Sequence, residues 1–174
     1  MPSKASAALV NQYGETLKSV LACVIKQPLR RITKPYEFGR RHSLFLARGP
    51  AQLAGSQLSF GLWLSFSEFW NAQAYRWTIR QERYTYQIVD ENAHELFAFH
   101  WDPLQDIAFP HLHLGFGMRG HQLPIDNKAH IPTGRVSVVD IISFVMLELR
   151  VKPLLDDWQT RLEVARQIFA DLEG

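Results

Sequence analysis

An α+β fold is expected from three features of the 174-residue chain. Near both ends, apolar residues recur at three- and four-residue spacing. Between residues 29 and 116 they come instead in short alternating runs rich in Phe, Tyr and Trp. Gly, Pro, Asn and Asp punctuate those runs closely enough for consecutive strands to pair. The predicted architecture is an N-terminal helix, an antiparallel meander sheet of about six or seven strands, and two C-terminal helices packed on one face. A chain of this length forms a single domain, 1–174, large enough for a proper core.

The first helix is predicted from Val10, Tyr13, Leu17, Val20, Leu21 and Val24, which share one face. Ser3 offers a cap and Pro28 a stop. Gly14 weakens the middle by about 1 kcal/mol relative to alanine. Strands are expected at 29–33, 42–47, 58–66, 74–80, 84–89, 95–101 and 111–116, with 90–93 forming a hairpin turn. Helical periodicity returns after Gly134. Ser137 and Asp140 have the spacing of a capping box, with Asp where Glu or Gln is more usual. Ile141, Val145 and Leu149 follow on one face, broadened by Ile142, Phe144 and Met146, and Pro153 ends the run. Asp156 and Asp157 then open an amphipathic helix carrying Trp158, Leu162, Ala165, Ile168 and Phe169, with acidic groups suited to its N-terminal dipole.

Composition narrows the function classes. At 47% hydrophobic and 21% charged, the chain is neither disordered nor of low complexity. A lone cysteine, Cys23, excludes an internal disulfide and any Cys-based zinc or iron–sulfur site, and its apolar surroundings predict a buried thiol. No signal-peptide core stands at the N-terminus, and the longest apolar runs are short or interrupted by Asp140 and Glu148. The expectation is therefore a soluble cytoplasmic protein without membrane contact. The net charge of +2 conceals an asymmetry: residues 1–90 carry twelve Lys/Arg against five Asp/Glu, whereas 91–174 carry seven against twelve.

Six of the seven histidines fall between positions 94 and 130. Residues two apart on a strand point to the same face, so His111 and His113 sit side by side while Leu112 and Leu114 point to the core. If 95–101 pairs with 111–116, His100 joins them. The following stretch supplies Lys128, His130 and Arg135. Two chemistries fit His100, His111, His113 and His130. In metal-free cleavage of RNA, one imidazole takes the 2′-hydroxyl proton and another protonates the 5′-oxygen. Lys128 and Arg135 then stabilise the phosphorane, and amides at the Ser137 helix start hold phosphate. Alternatively, His111 and His113 with His100 or Asp102 bind zinc or another divalent metal as a hydrolytic centre. Rings more than roughly 8–10 Å apart would defeat both readings. The plainer view is that these histidines cap loops or fill a polar sheet face, the protein being a non-catalytic interaction module of a bacterial defence or anti-defence system.

The remaining binding candidates are basic or aromatic. Arg30, Arg31, Lys34, Arg40, Arg41 and Arg48 are interleaved with Tyr36 and Phe38, a pattern that attracts phosphates irrespective of sequence. A solvated strand edge guarded by charge explains it equally. Trp63, Trp70, Trp77 and Trp158 read as core, while Trp101, beside His100, is kept as a surface on which a base could stack. RNA and a protein docking on the C-terminal helices are the expected partners, and self-association is compatible with the sequence.

The run Tyr84-Thr85-Tyr86 through Phe99-His100-Trp101-Asp102 and Phe109-Pro110-His111-Leu112-His113 resembles the core of the TumE-like toxins of bacterial toxin–antitoxin systems, over residues 84–150. The resemblance implies a small α+β protein with RNA-directed toxic activity, restrained by an antitoxin, and it carries over His111, His113 and Asp102. The longer first helix, the added aromatic strands, the 128–135 loop and the two closing helices depart from that family's pattern.

Overall fold

The computed structural model describes residues 4–26, 29–31, 42–46, 51–52, 59–90, 92, 94–115 and 129–173. Helix α1 (Lys4–Leu21) leads into strands β1 (Leu29–Arg31), β2 (His42–Leu46), β3 (Ala51–Gln52), β4 (Ser59–Asn71), β5 (Arg76–Val89), β6 (Glu95–Trp101), β7 (His111–Leu114) and β8 (Ile131–Pro132). Helices α2 (Val138–Leu147) and α3 (Trp158–Glu173) complete the order. The strands form one antiparallel sheet in the order β1-β2-β4-β5-β6-β7-β8, with β3 beside β4. Five of them, β2, β4, β5, β6 and β7, are four residues or longer and make its body.

That body has fewer strands than the six or seven expected because 74–80 and 84–89 are not separate and 29–33 contributes only the three-residue β1. They are one 14-residue strand, paired with β4 along its whole length. The polar stretch Gln81–Arg83, which reads as a break, is absorbed by a register shift at Ser65/Phe66. Strand β4 likewise continues past 66 to Asn71. At its tip the Asn71 side chain accepts hydrogen bonds from the Gln73 and Ala74 amides, both 3.0 Å, and Tyr75 turns the chain with φ 50°. Trp70 lies on this hairpin at 44% exposure, against the core role expected of it.

The core lies between one sheet face and all three helices. Tyr84, Tyr86 and Ile88 of β5 are buried, the two tyrosine rings stacked 4.8 Å apart. Tyr13 of α1 meets Phe169 of α3 at 5.0 Å, and Phe97 and Phe99 of β6 meet Phe144 of α2 at 5.9 and 6.0 Å. The apolar face predicted for α1 is buried, as is Cys23, whose thiol donates to the Ser19 carbonyl.

Helix α2 begins as its capping spacing predicts. Asp140 N–H donates to Ser137 Oγ at 3.2 Å, and Ser137 N–H donates to Asp140 Oδ2 at 3.0 Å. Its end differs: the helix stops at Leu147, well before Pro153, as Arg150 turns with φ 58° and Val151 N–H reaches back to the Val145 carbonyl. Ser137→Ala removes the cap and is expected to cost about 1 kcal/mol, read by chemical denaturation. An unchanged midpoint would show the cap to be dispensable.

Candidate functional site

The side of the sheet away from the helices carries the histidines. Phe97, Phe99 and Trp101 of β6 face the helices, so His100 faces outward. The β6–β7 register pairs His100 with His111 and Ala98 with His113, putting all three imidazoles on one outer surface. Strand β8 pairs Pro132 with His111 and Ile131 with Leu112, so His130 arrives opposite His113. Ring centroids are 5.3 Å apart for His100–His111, 4.7 Å for His111–His113, 4.9 Å for His111–His130 and 4.7 Å for His113–His130. The four rings therefore meet well inside the separation that would defeat a shared site.

The nitrogen atoms are not equivalent. His111 is buried, and its Nδ1 lies 2.7 Å from the Phe109 carbonyl. A carbonyl only accepts, so Nδ1 holds the proton and the Nε2 of the neutral ring keeps its lone pair. The buried Nε2 of His113 has no hydrogen-bond partner among the described residues. One ligand nitrogen from each of His100, His111 and His113 lies within 4.8 Å of the others. Nitrogens on a tetrahedral zinc with bonds near 2.0–2.1 Å stand about 3.4 Å apart, so binding a metal would draw the three closer.

Burial, and then the surrounding imidazoles, hold the His113 ring down to about 4. Burial also lowers His100, joined by His111 and His130 and opposed by the carboxylates of Asp102 and Glu95. Both rings are neutral at pH 7. His113 is protonated near 6.5 when unfolded and only near 4 when folded, so below pH 6.5 the unfolded chain takes up the proton first. Stability without metal is expected to be full above pH 6.5 and to fall steadily from there towards pH 4. Melting temperatures across that range test it, with His113→Gln flattening the profile; equal slopes in the two proteins would remove His113 as the cause.

The other candidates are placed elsewhere. Asp102 is buried and is not one of the three convergent ligands: it accepts from Leu104 N–H at 3.1 Å and from Arg83 Nη1 at 3.3 Å. Burial alone would raise its carboxyl, but these donors outweigh that and keep it below the usual range. Trp101 is buried on the helix-facing side, and the guanidinium of Arg135 covers its ring at 4.0 Å, so neither faces the histidines. At the start of α2 the Asp140 carboxylate occupies the amide position that phosphate would take. Lys128, Arg40 and Arg41 lie outside the described residues, as do Ser3, Pro28, Lys34, Arg48 and His121; Arg30 and Arg31 belong to β1, their side chains outside the description. His94 pairs with Asp90 at the β5–β6 turn, and His42 is buried. Sequence reasoning missed Phe109, whose contribution is a backbone carbonyl and leaves no residue-type signal. It also missed Arg80 and Arg83, ordinary strand residues until β5 is known to run unbroken.

No protein-family model, curated protein or solved structure matches the chain. No helix among the described residues is long and apolar enough to cross a membrane.

Proposed function

We propose that the protein is a metal-dependent hydrolase acting on phosphodiesters, RNA being the substrate class, with His100, His111 and His113 holding a divalent transition metal. The observation that carries this reading is the convergence of three imidazole nitrogens within 4.8 Å, on rings that include His113, whose buried Nε2 has no partner among the described residues. Imidazole nitrogen suits zinc and its neighbours, and three protein ligands leave a position open. A divalent ion there supplies Lewis acidity towards a phosphoryl oxygen. Outside the three-nitrogen group but 4.7 Å from His113 ring to ring, His130 is the general base for an attacking hydroxyl. RNA is favoured by the excess of positive charge in residues 1–90.

The metal-free acid/base reading uses the same rings and is supported less. It needs one imidazolium at neutral pH, and burial together with the neighbouring imidazoles holds His113 and His100 below the usual histidine range. The likeness to TumE-like toxins supports RNA as substrate and adds a protein antitoxin as a proposed partner.

The test is hydrolysis of an unstructured oligoribonucleotide by protein purified without a histidine tag, with and without EDTA, then with zinc or manganese restored. Loss in EDTA and recovery with metal is the expected result. Full activity in EDTA would transfer the chemistry to acid/base catalysis. Neither activity nor bound metal under any condition would make the histidines structural.

A further inference from the structure

A cleft of about 250 Å³ opens between the middle of β5, the end of β6 and the segment entering α2. Three guanidiniums line it, those of Arg80, Arg83 and Arg135, against two carboxylates, Glu82 and Asp102. Arg83 is paired with Asp102 at 3.3 Å. Arg80 and Arg135 have no ion pair among the described residues and are held otherwise. Arg80 lies over the Phe69 ring at 3.9 Å and Arg135 over the Trp101 ring at 4.0 Å. A guanidinium held over an aromatic ring by cation–π attraction keeps N–H groups available to donate. Two such forks facing one cleft are preorganised for an oxyanion that takes paired hydrogen bonds, and phosphate is the oxyanion that matches them best. The volume falls below the usual range for drug-sized ligands and suits a phosphate with its attached sugar.

We propose that this cleft binds the phosphate group of a nucleotide unit, with Arg80 and Arg135 as its forks and Arg83, braced by Asp102, closing the side. The assignment stands apart from the proposed metal centre, since none of His100, His111, His113 and His130 lines the cleft.

Calorimetric titration of the full chain in EDTA with inorganic phosphate, AMP, a short oligouridylate and uncharged adenosine tests it. Saturable binding of the three phosphates and none of adenosine is expected. Arg80→Ala/Arg135→Ala is expected to weaken binding at least about tenfold while taking up zinc as the parent does. The double lysine variant, Arg80→Lys/Arg135→Lys, keeps the charge and is expected to recover binding only in part, separating loss of the fork from loss of fold. Oligouridylate binding tighter than AMP assigns the phosphate to a nucleic-acid strand, and equal binding assigns it to a mononucleotide. Absence of saturation at millimolar phosphate, or equal binding by the double alanine variant, would overturn the proposal. His113→Ala is expected to leave this binding intact, so failure here and failure of the metal centre are read separately.

Discussion

Gly115→Ala is expected to destabilise the protein by roughly 1–3 kcal/mol or more, as overpacking against a fixed partner does. A β-carbon there would sit 2.0 Å from the Glu95 carbonyl oxygen and 2.3 Å from its carbon. Those are backbone atoms at the start of β6, so no side-chain rotation relieves the clash. The strands themselves must part, with loss of the 2.9 Å hydrogen bond from Gly115 N–H to the Leu96 carbonyl. For a chain of this size each kcal/mol is worth about 2–4 °C in melting temperature. Gly14→Ala supplies the contrast. Nothing lies within 4 Å of its would-be β-carbon, and the residue is inside α1. A gain of about 0.5–1 kcal/mol is expected there. Thermal melts of both variants check the pair; a Gly115→Ala protein as stable as the parent would disprove the close approach of β7 to β6.

Within the proposed metal centre, His111→Ala and His113→Ala are expected to weaken zinc binding by more than the roughly 10–100-fold that loss of an outer partner costs. Each removes a nitrogen of the convergent three. His130→Ala is expected to keep most of the metal affinity while losing about 10²–10⁴-fold in hydrolysis, the range for a general base. Competition with a chromophoric chelator gives the first quantity and single-turnover cleavage the second. Equal loss of metal in all three variants would make His130 a fourth ligand and close the site, turning a catalytic centre into a structural one.

Much of this surface is written in period-two patterning. The alternation Phe97-Ala98-Phe99-His100-Trp101 and His111-Leu112-His113-Leu114 separates a core face from an outer face, and the observed pairing of His100 with His111 follows from antiparallel neighbours. The cap at Ser137 and Asp140 is equally local and equally visible. What the sequence conceals is set by long-range registration. His130 is brought beside His113 by a strand of two residues, too short for any pattern. Arg135 follows His130 closely along the chain, yet its side chain stacks on Trp101, which faces the core. Asp102 follows His100 by two residues, but β6 has ended at Trp101, and beyond a strand end alternation no longer assigns faces. The length of β5 is hidden for a related reason. A polar interruption in one strand looks like a loop until its partner is seen to absorb it.

The alternation along β6 and β7 also guards against misfolding. Each histidine of the proposed three-ligand centre has an apolar residue as its chain neighbour: Phe99 beside His100, and Leu112 beside both His111 and His113. Sliding β6 by one residue would exchange its two faces at once, pressing His100 towards Phe144 and turning phenylalanines towards water. The chemistry and the packing therefore vote for the same alignment. A single-residue deletion between Pro110 and Gly115 would forfeit both, whereas removing two residues would preserve the parity and shorten the strand. In evolutionary terms, this edge of the sheet can change length only in even steps.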